Sequence, residues 1–244
     1  MADPGATPIR AREVDEFTDA DIQTLSDAPL LHELSDEDVE ILKPYVHVVL
    51  LKRGEHLYDE GAVDDKLYAV IAGKVKLTRT SPDGREVLVR VQGPGELFGE
   101  LAMFDPEYRT STAAAITDSR LAVIAHDDLR HVLCTRPSMA MLLLKELAQR
   151  LRNLTETTTG LIFTDVPGRV ARALLELADK FGTEQDDGIL VNHDLTQEEL
   201  AQYVGASRET VNKALADFAN RGWLQLSAKA VLLTDLDRLR RRAR

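Results

Sequence analysis

The hydrophobic pattern of this chain changes from the period of β-strands to that of helices near residue 125, and this change limits the folds that the chain can adopt. From Val46 to about Ala125, short β-rich runs alternate with Gly, Pro and Asp: VHVVLLKRG, KLYAVIAGKVKLTRT, REVLVRVQGPG and SRLAVIAHDD. Many short strands at this spacing are typical of a β-sandwich or β-roll. After this region, the apolar residues recur with helical spacing. We therefore expect an α+β protein in which an all-β module precedes a helical part.

Two local signals predict individual elements in the first half of the chain. Ser35 is a candidate N-cap for a short helix in LSDEDVEILKPYV, with acidic residues in the first turn and Pro44 near the end. The segment SPDGRE predicts a hairpin turn, because Asp83-Gly84 can supply the positive φ that such turns require.

A long amphipathic helix begins near Pro137, in the run PSMAMLLLKELAQRLRNLTETTTGLIFTD. A stripe along this helix repeats with the a/d spacing of a coiled-coil seam, and its members are Leu144, Leu147, Leu151, Leu154, Thr158 and Leu161. Such a seam packs either on the helix's own domain or on a second copy of the helix. Because the seam continues past the β-rich module, we expect a parallel homodimer through the Leu144–Leu161 helix.

Two short helices joined by a glycine turn are predicted near the C-terminus. Thr196 and Glu199 form a capping box, Gly205 provides the turn, and Ser207 can cap a second helix that runs to about Asn220. Two helices in this arrangement are typical of a helix-turn-helix, and the following GWLQLSAKAVLLTD predicts a two-stranded wing.

The first residues of the second helix of a helix-turn-helix face base edges in the major groove. Arg208 can donate two hydrogen bonds to guanine, and Glu209 can accept one from cytosine. The hydroxyls nearby suit phosphate contacts. The alternative is that Arg208 and Glu209 only decorate a solvated helix. We favour DNA contact, and the candidate DNA-binding residues are Ser207, Arg208, Glu209, Thr210 and Lys213.

The distribution of charge supports a nucleic-acid partner, although the total does not. The chain has 30 basic and 41 acidic residues, which gives a net charge of −11. Residues 205–244 contain nine Lys or Arg against four Asp or Glu, which is a local balance of +5. A basic segment on an acidic body is typical of a protein that binds a polyanion. A solvated tail explains RLRRRAR alone equally well.

Composition argues against several other classes of protein. No apolar run approaches the length needed to span a bilayer, and the acidic N-terminus lacks the apolar core of a secretory signal, so we expect a cytoplasmic protein. Cys134 is the only cysteine, and the six histidines are scattered. A single cysteine rules out an intrachain disulfide and a cysteine-ligated iron–sulfur cluster. The scattered histidines argue against a metal site and against a redox or haem sensor.

One loop-forming stretch, GPGELFGELAMFDPEYRTST, combines clustered glycines with an isolated carboxylate and an isolated guanidinium. The glycines suit a backbone that bends or lets another group approach closely. Glu100 and Arg109 can form a salt bridge across the loop or bind a phosphate ester. No nucleophile–base pair stands out nearby, so catalysis is the weakest interpretation.

LTQEELAQYVGASRETVNKAL, FTDVPGRVA and FGELAMFDPEYRTST together resemble the CRP/FNR superfamily of bacterial transcription regulators, and within it the actinobacterial cyclic-AMP receptor proteins. The resemblance runs from about Leu30 to Arg244. It implies an N-terminal cyclic-nucleotide-binding β-roll, a long dimerisation helix and a C-terminal winged helix-turn-helix. It also implies that ligand binding reorients the DNA-binding domains about a hinge at Asp165. The implied partners are a palindromic double-stranded DNA operator, a second copy of the chain and RNA polymerase.

The resemblance assigns roles to the glycine-rich stretch. Arg109 would pair with a cyclic phosphate, and Glu100 would accept a hydrogen bond from the ribose 2′-hydroxyl. Both assignments agree with the chemistry, because a guanidinium matches a phosphodiester and a carboxylate can only accept. Gly99 would let the backbone approach, and backbone or hydroxyl donors would come from Leu101, Ala102 and Thr110.

The half of the pocket that meets the base departs from the family pattern. Arg90 stands where cyclic-AMP-binding members usually carry Ser or Thr, and Leu154 precedes Thr155 where they carry Thr followed by Ser or Asn. Three interpretations stay open. Cyclic AMP binds through Arg109, Glu100 and Thr155; Arg90 selects cyclic GMP or a cyclic guanine dinucleotide; or the leucine seam holds the dimer active without ligand. We place cyclic AMP first.

These predictions divide the chain into four parts. They are an acidic flexible arm over residues 1–28, a β-roll over 29–136, a dimerisation helix over 137–164 and a winged helix-turn-helix over 165–244. A cyclic-nucleotide module that controls an enzyme is a rival interpretation, but we find no kinase or other catalytic segment, and the winged helix favours DNA. We therefore expect a ligand-controlled transcription regulator and not an enzyme.

Overall fold

A computed structural model describes residues 12–14, 16–26, 34–101 and 108–243 of the chain. It divides the chain into two compact units, Met1–Gln149 and Arg150–Arg244, with the boundary inside the long helix. Within the described residues, no helix combines the length and apolar character needed to cross a membrane.

The described part of the first unit contains two antiparallel sheets. One has five strands in the order β1-β2-β9-β4-β7, and the other has four in the order β3-β8-β5-β6. The strands are β1 (Arg12–Val14), β2 (His47–Leu51), β3 (His56–Tyr58), β4 (Lys66–Ala72), β5 (Val75–Thr80), β6 (Glu86–Gln92), β7 (Leu97–Phe98), β8 (Thr112–Ala115) and β9 (Ser119–Ala125). The α+β class and the β-rich module predicted from the sequence are confirmed.

Among the described residues, four helices accompany these sheets, and the last of them continues into the second unit. They are α1 (Asp19–Ser26), α2 (Asp36–Leu42), which leads into a 3-10 turn (Lys43–Tyr45), α3 (His126–Thr135) and α4 (Pro137–Phe163). The predicted cap of α2 is confirmed, because Ser35 and Asp38 form a reciprocal capping box. The predicted start of the long helix at Pro137 is also confirmed.

The five-stranded sheet is buried on both faces, which explains why its strands read as continuous apolar runs. One face packs on the other sheet in a core that includes Tyr58, Tyr68, Phe98 and Leu121. The opposite face packs on helices, since Leu25 of α1 and Leu129 of α3 join its second core. Burial on both sides removes the alternation that marks a half-exposed strand.

The β5–β6 hairpin turns at Ser81–Arg85, where SPDGRE predicts a turn. Gly84 adopts a φ of +82°, whereas Asp83 is not in the left-handed region. Ser81 and Arg85 close the turn through a backbone hydrogen bond of 2.9 Å. A single left-handed glycine therefore makes the turn, and the Asp83-Gly84 pair does not act as a unit.

The structure places ordered elements inside the range assigned to a flexible arm. Strand β1 extends the five-stranded sheet by pairing with β2, and α1 follows it. An ion pair holds α1, because Arg120 donates to Asp21 Oδ1 and Oδ2, both at 2.7 Å. The acidic composition of this segment concealed the interaction, since Arg120 is 99 positions away. Residues 1–11, 15, 27 and 28 of the predicted arm lie outside the described residues.

In the second unit, residues 150–243 form the end of α4, four further helices and a sheet in the order β10-β11-β13-β12. The helices are α5 (Val166–Phe181), α6 (Gln197–Val204), α7 (Arg208–Asn220) and α8 (Leu236–Arg242), and the strands are β10 (Gly182–Gln185), β11 (Gly188–Val191), β12 (Leu224–Leu226) and β13 (Val231–Leu233). The predicted wing is β12 and β13, but it belongs to a four-stranded sheet. The sequence did not predict strand β10, because its four residues are all exposed and show no apolar pattern.

The predicted break after the long helix coincides with the start of α5. The Asp165 side chain accepts from Gly168 N at 3.0 Å as the N-cap, and Pro167 lies in the first turn, where its missing N–H costs nothing. Arg242 of α8 donates to Asp165 Oδ2 at 2.6 Å. The C-terminal arginine run is thus part of a packed helix, with Leu239 buried and Arg242 bound to the break.

We predict that Asp21→Asn weakens the attachment of α1 by about 1–2 kcal/mol at pH 7. The hydrogen bond from Arg120 lowers the pKa of Asp21 from 3.8 to about 2. Because the folded-state pKa lies below the unfolded one, this contribution is complete above about pH 4 and is lost as the pH falls through 2. Amide hydrogen exchange of α1 at pH 7, with urea unfolding between pH 7 and pH 2, measures it.

The matched control for this prediction is Asp19→Asn. Asp19 pairs with Lys43 at 2.8 Å, but its side chain is 90% exposed, so its removal should change little. Equal exchange rates in the wild type and Asp21→Asn at pH 7 would contradict the role given to Asp21.

Candidate ligand site and nucleic-acid interface

Directly after β7, the glycine-rich stretch adopts a backbone conformation that requires glycine. Gly99 has a φ of +87°, and a Cβ added there would lie 2.5 Å from Arg109 Nη1 and 2.9 Å from Lys66 O. Both the left-handed backbone and the lack of space exclude a side chain. Gly99 therefore allows Arg109 to lie against the backbone of this turn.

Arg109 is 3% exposed, although arginine is rarely buried to this extent unless it is paired. Its Nη1 donates to Gly99 O at 2.8 Å, and its Nη2 donates to Asp64 Oδ2 at 2.7 Å and to Lys66 O at 2.6 Å. Nε is buried without a hydrogen-bond partner. Arg109 thus forms an ion pair with Asp64, a residue that the sequence analysis did not consider.

Two tyrosines complete the surroundings of the guanidinium. The Arg109 Cζ atom lies 4.2 Å from the centre of the Tyr58 ring and 5.5 Å from that of Tyr68, within cation–π range. Tyr68 also donates its hydroxyl to Asp64 Oδ2 at 2.9 Å. Burial raises the pKa of both tyrosine hydroxyls, so both stay protonated. The tyrosines belong to β3 and β4, and they read as core positions in the sequence.

The other predicted ligand residues differ in exposure and in the element that carries them. Glu100 is half-buried, whereas Leu101 and Thr110 are exposed on either side of the segment 102–107. Ala102 belongs to that segment and lies outside the described residues. Arg90 lies half-buried on β6, opposite Leu77 of β5.

The two remaining ligand candidates are on α4, in its portion that belongs to the second unit. Leu154 is 58% exposed. Thr155 is also exposed and donates its hydroxyl to Leu151 O at 2.9 Å within the helix. Of the predicted ligand residues, the structure thus brings Gly99 and Arg109 into direct contact.

The described residues offer no cluster of three His, Cys, Asp or Glu side chains that could hold a metal ion. Cys134 is a free, exposed thiol on α3.

The helix-turn-helix follows the local signals in the sequence. Thr196 and Glu199 form the capping box of α6, and Gly205 ends this helix with a φ of +69°. Ser207 caps α7 by accepting from Thr210 N at 3.3 Å. These three predicted signals are confirmed, as is the end of α7 at Asn220.

A half-buried arginine that the sequence analysis missed holds the turn in place. Arg169 of α5 donates from Nε to Val204 O at 3.2 Å and from Nη2 to Gly205 O at 3.1 Å. Its Nη1 donates to Thr164 O at 3.2 Å, just before the start of α5. The free carbonyls at the end of α6 are thereby satisfied from another helix. No local pattern could reveal this contact, because Arg169 is 35 positions from Val204.

Helix α7 divides cleanly into a buried and an exposed face. Val211, Ala214, Leu215 and Phe218 are buried. All five candidate DNA-binding residues lie on the exposed side: Ser207, Arg208, Glu209, Thr210 and Lys213. Within this group, Lys213 Nζ donates to Glu209 Oε1 at 2.7 Å. The N-terminal turn of α7 therefore presents a polar surface with an exposed arginine.

Two family models match this chain, each in one unit. A cyclic nucleotide-binding domain matches residues 48–136, and a Crp-like helix-turn-helix domain matches residues 168–242. The first match includes Asp64, Gly99 and Arg109, and the second includes Arg169 and the whole of α7.

Similar proteins cover nearly the whole chain. A CRP-like cAMP-activated global transcriptional regulator of Mycobacterium tuberculosis is 49% identical over 91% of this chain and 99% of that protein. Among solved structures, the c-di-GMP responsive global regulator CLP of Xanthomonas campestris has a TM-score of 0.71 with 26% identity over 82% of this chain and 99% of that one. A CRP/FNR-family transcriptional regulator of Thermus thermophilus has a TM-score of 0.66 with 29% identity over 80% of this chain and 97% of that one.

The sequence similarity, the two domain matches and the helix-turn-helix formed by α6 and α7 agree with one another. The chain belongs to the CRP/FNR family of DNA-binding transcription regulators, and its N-terminal unit is a cyclic nucleotide-binding domain.

Proposed function

We propose that this chain acts as a homodimer that binds cyclic AMP in the N-terminal unit and a palindromic operator through α7. The exposed N-terminal turn of α7 is the observation that carries the proposal. The relative from Mycobacterium tuberculosis, described as cAMP-activated, supports cyclic AMP as the effector. The proposed function places the protein in the cytoplasm, and contact with RNA polymerase is part of the same proposal by resemblance.

In the ligand site, the cyclic phosphate pairs with Arg109 and the ribose 2′-hydroxyl donates to Glu100. Gly99 keeps the backbone close, and further donors come from Leu101, Ala102 and Thr110. A guanidinium suits a phosphodiester because it offers parallel hydrogen bonds to a delocalised charge. Burial among Tyr58 and Tyr68 strengthens this interaction by lowering the local dielectric.

Guanine is the second candidate base. Arg90 lies on β6 at the position that the family pattern assigns to the base, and arginine can donate to the O6 and N7 atoms of guanine. The similarity to a c-di-GMP responsive regulator also favours this alternative.

The dimer interface in this proposal is the leucine seam of α4. Leu144, Leu151, Leu154 and Leu161 are 52–65% exposed, although large apolar side chains at coiled-coil spacing normally pack against a partner. A second copy of the same helix offers matching residues at matching heights. Pairing these faces removes apolar surface from water and places two copies of α7 on the two halves of a palindrome.

The proposed coupling between nucleotide and DNA is a shift between two arrangements of the dimer. A ligand changes DNA affinity only by as much as it favours one arrangement over the other. The N-cap Asp165 and Pro167, at the start of α5, mark the proposed hinge.

The DNA contact predicts a selective defect in Arg208→Ala. We expect its affinity for an operator selected from a random duplex pool to fall about ten- to hundred-fold, with preference relaxed at one position of each half-site, because a bidentate base contact is lost. Fluorescence anisotropy with operator and random duplexes measures both affinities. Arg221→Ala, at the opposite end of the same helix, is the control. Unchanged operator affinity in Arg208→Ala would rule out this position of the recognition helix.

The leucine seam predicts that Leu151→Glu yields monomers. Two facing carboxylates would be buried in the paired seam, which costs more than the apolar contact they replace. Sedimentation velocity should show the wild type as a dimer and the variant as a monomer that has lost operator affinity. Thr159→Glu places the same charge on α4 outside the seam and should stay dimeric. A dimeric Leu151→Glu protein would refute the proposed interface.

The ligand site predicts that Arg109→Gln lowers affinity for cyclic AMP at least about thirty-fold, because a buried charge-assisted contact is lost. Arg79→Gln, an exposed arginine of the same unit, should bind like the wild type. Titration calorimetry with cyclic AMP and cyclic GMP measures the affinities, and operator binding with and without nucleotide measures the response. Absence of heat with millimolar cyclic AMP would exclude that ligand. Heat with cyclic GMP alone would select guanine, and nucleotide-independent operator binding would select the unliganded alternative.

A further inference from the structure

We propose that Asp64 is a built-in competitor for the phosphate-binding arginine and that it sets the nucleotide affinity of this site. The inference rests on the proposed function in one respect, namely that Arg109 binds the cyclic phosphate. The Asp64 carboxylate occupies the anion position beside Arg109, so a phosphodiester must displace it or bind against its charge.

The hydrogen bonds of Arg109 explain why displacement is needed. A guanidinium can bind an anion through either of two pairs of parallel N–H donors, namely Nε with Nη2 or Nη1 with Nη2. Both pairs include Nη2, and the two hydrogens of Nη2 are already donated to Asp64 Oδ2 and Lys66 O. A bidentate phosphate contact therefore requires that one of these acceptors leave.

Asp64 is the acceptor that can leave. The oxygen of Lys66 belongs to the backbone of β4, which is held between β9 and β7 in the five-stranded sheet. Asp64 lies two residues before β4 and is bound through its side chain, so a rotation about its side-chain bonds releases Arg109. The carboxylate can then reach water, since its side chain is 10% exposed while that of Arg109 is only 2% exposed.

The buried Nε atom of Arg109 also indicates that Asp64 is a replaceable partner. It has no hydrogen-bond partner, so the guanidinium is under-satisfied even with Asp64 in place. A phosphodiester offers several acceptor oxygens and can satisfy Nε and Nη2 together. Asp64 thus stabilises the buried charge without meeting all of its donors, as a replaceable counter-ion would.

This arrangement has a thermodynamic consequence. Without ligand, Asp64 compensates a charge whose burial alone would destabilise the unit. On binding, the nucleotide gains Arg109 but loses the Arg109–Asp64 attraction, so the net affinity is lower than the site could reach. Neutralising Asp64 should therefore weaken the ligand-free fold and strengthen nucleotide binding.

The test compares nucleotide binding of the full-length wild type with Asp64→Asn. We expect the Kd for cyclic AMP, or for cyclic GMP if that is the nucleotide bound, to fall about ten-fold or more in Asp64→Asn, because a buried opposing charge is removed. Asp64→Glu keeps the charge and should bind within a few-fold of the wild type. Asp65→Asn removes the adjacent, exposed carboxylate and should match the wild type. Asp64→Ser is a second neutral variant in case Asp64→Asn folds poorly.

Thermal unfolding separates this role from a merely structural one. The Tm of ligand-free Asp64→Asn should fall below that of the wild type, while the rise in Tm on saturation with the nucleotide should be larger in the variant. A purely structural role would lower the Tm with and without ligand by the same amount and would leave Kd unchanged.

The outcomes distinguish failure of this inference from failure of the proposed function. If the wild type binds nucleotide and both neutral variants bind it equally or more weakly, the inference is wrong and the proposed function stands. If neither the wild type nor any Asp64 variant binds cyclic AMP or cyclic GMP, the proposed ligand function is wrong and the inference falls with it.

Discussion

The structure of the ligand-binding unit depends on the burial of one positive charge. An unpaired guanidinium in the protein interior would cost several kcal/mol, so Arg109 must be surrounded by acceptors and ring faces. The acceptors come from separate segments, namely Asp64, the backbone at Lys66 and the left-handed turn at Gly99. The same requirement makes the site suitable for an anion, because a phosphate can take over the role of the carboxylate.

The packing of the same unit also explains why α4 is partly buried at its beginning and exposed further along. The five-stranded sheet is covered on one face by the second sheet and on the other by helices, including the start of α4 through Leu143. Further along, the helix leaves Leu151 and Leu154 exposed. One helix thus belongs to the core at its beginning and offers an apolar surface afterwards. This second property is what a partner helix would cover.

In the second unit, local signals set where the helices begin and end, and long-range contacts hold the helices in position. Capping residues Thr196 and Ser207 begin α6 and α7, and the left-handed Gly205 separates them. Arg169 then fixes the turn from α5, and Arg242 of α8 binds Asp165 at the start of that same helix. The position of α7 therefore depends on contacts made by residues of other helices.

The sequence by itself determined the features that depend on neighbours a few residues away. Strand-like and helical periods, the caps at Ser35, Thr196 and Ser207, and the turns at Gly84 and Gly205 all follow from local backbone preferences. Only the tertiary structure decided which distant groups meet. The partner of Arg109 is Asp64, 45 positions away, and Asp21 meets Arg120 across 99 positions. The polar strand β10 pairs with β11 in the sheet that contains the wing, although β10 has no apolar pattern. These contacts depend on how the sheets and helices pack against one another. The periodicity and spacing of residues along the sequence do not specify that packing.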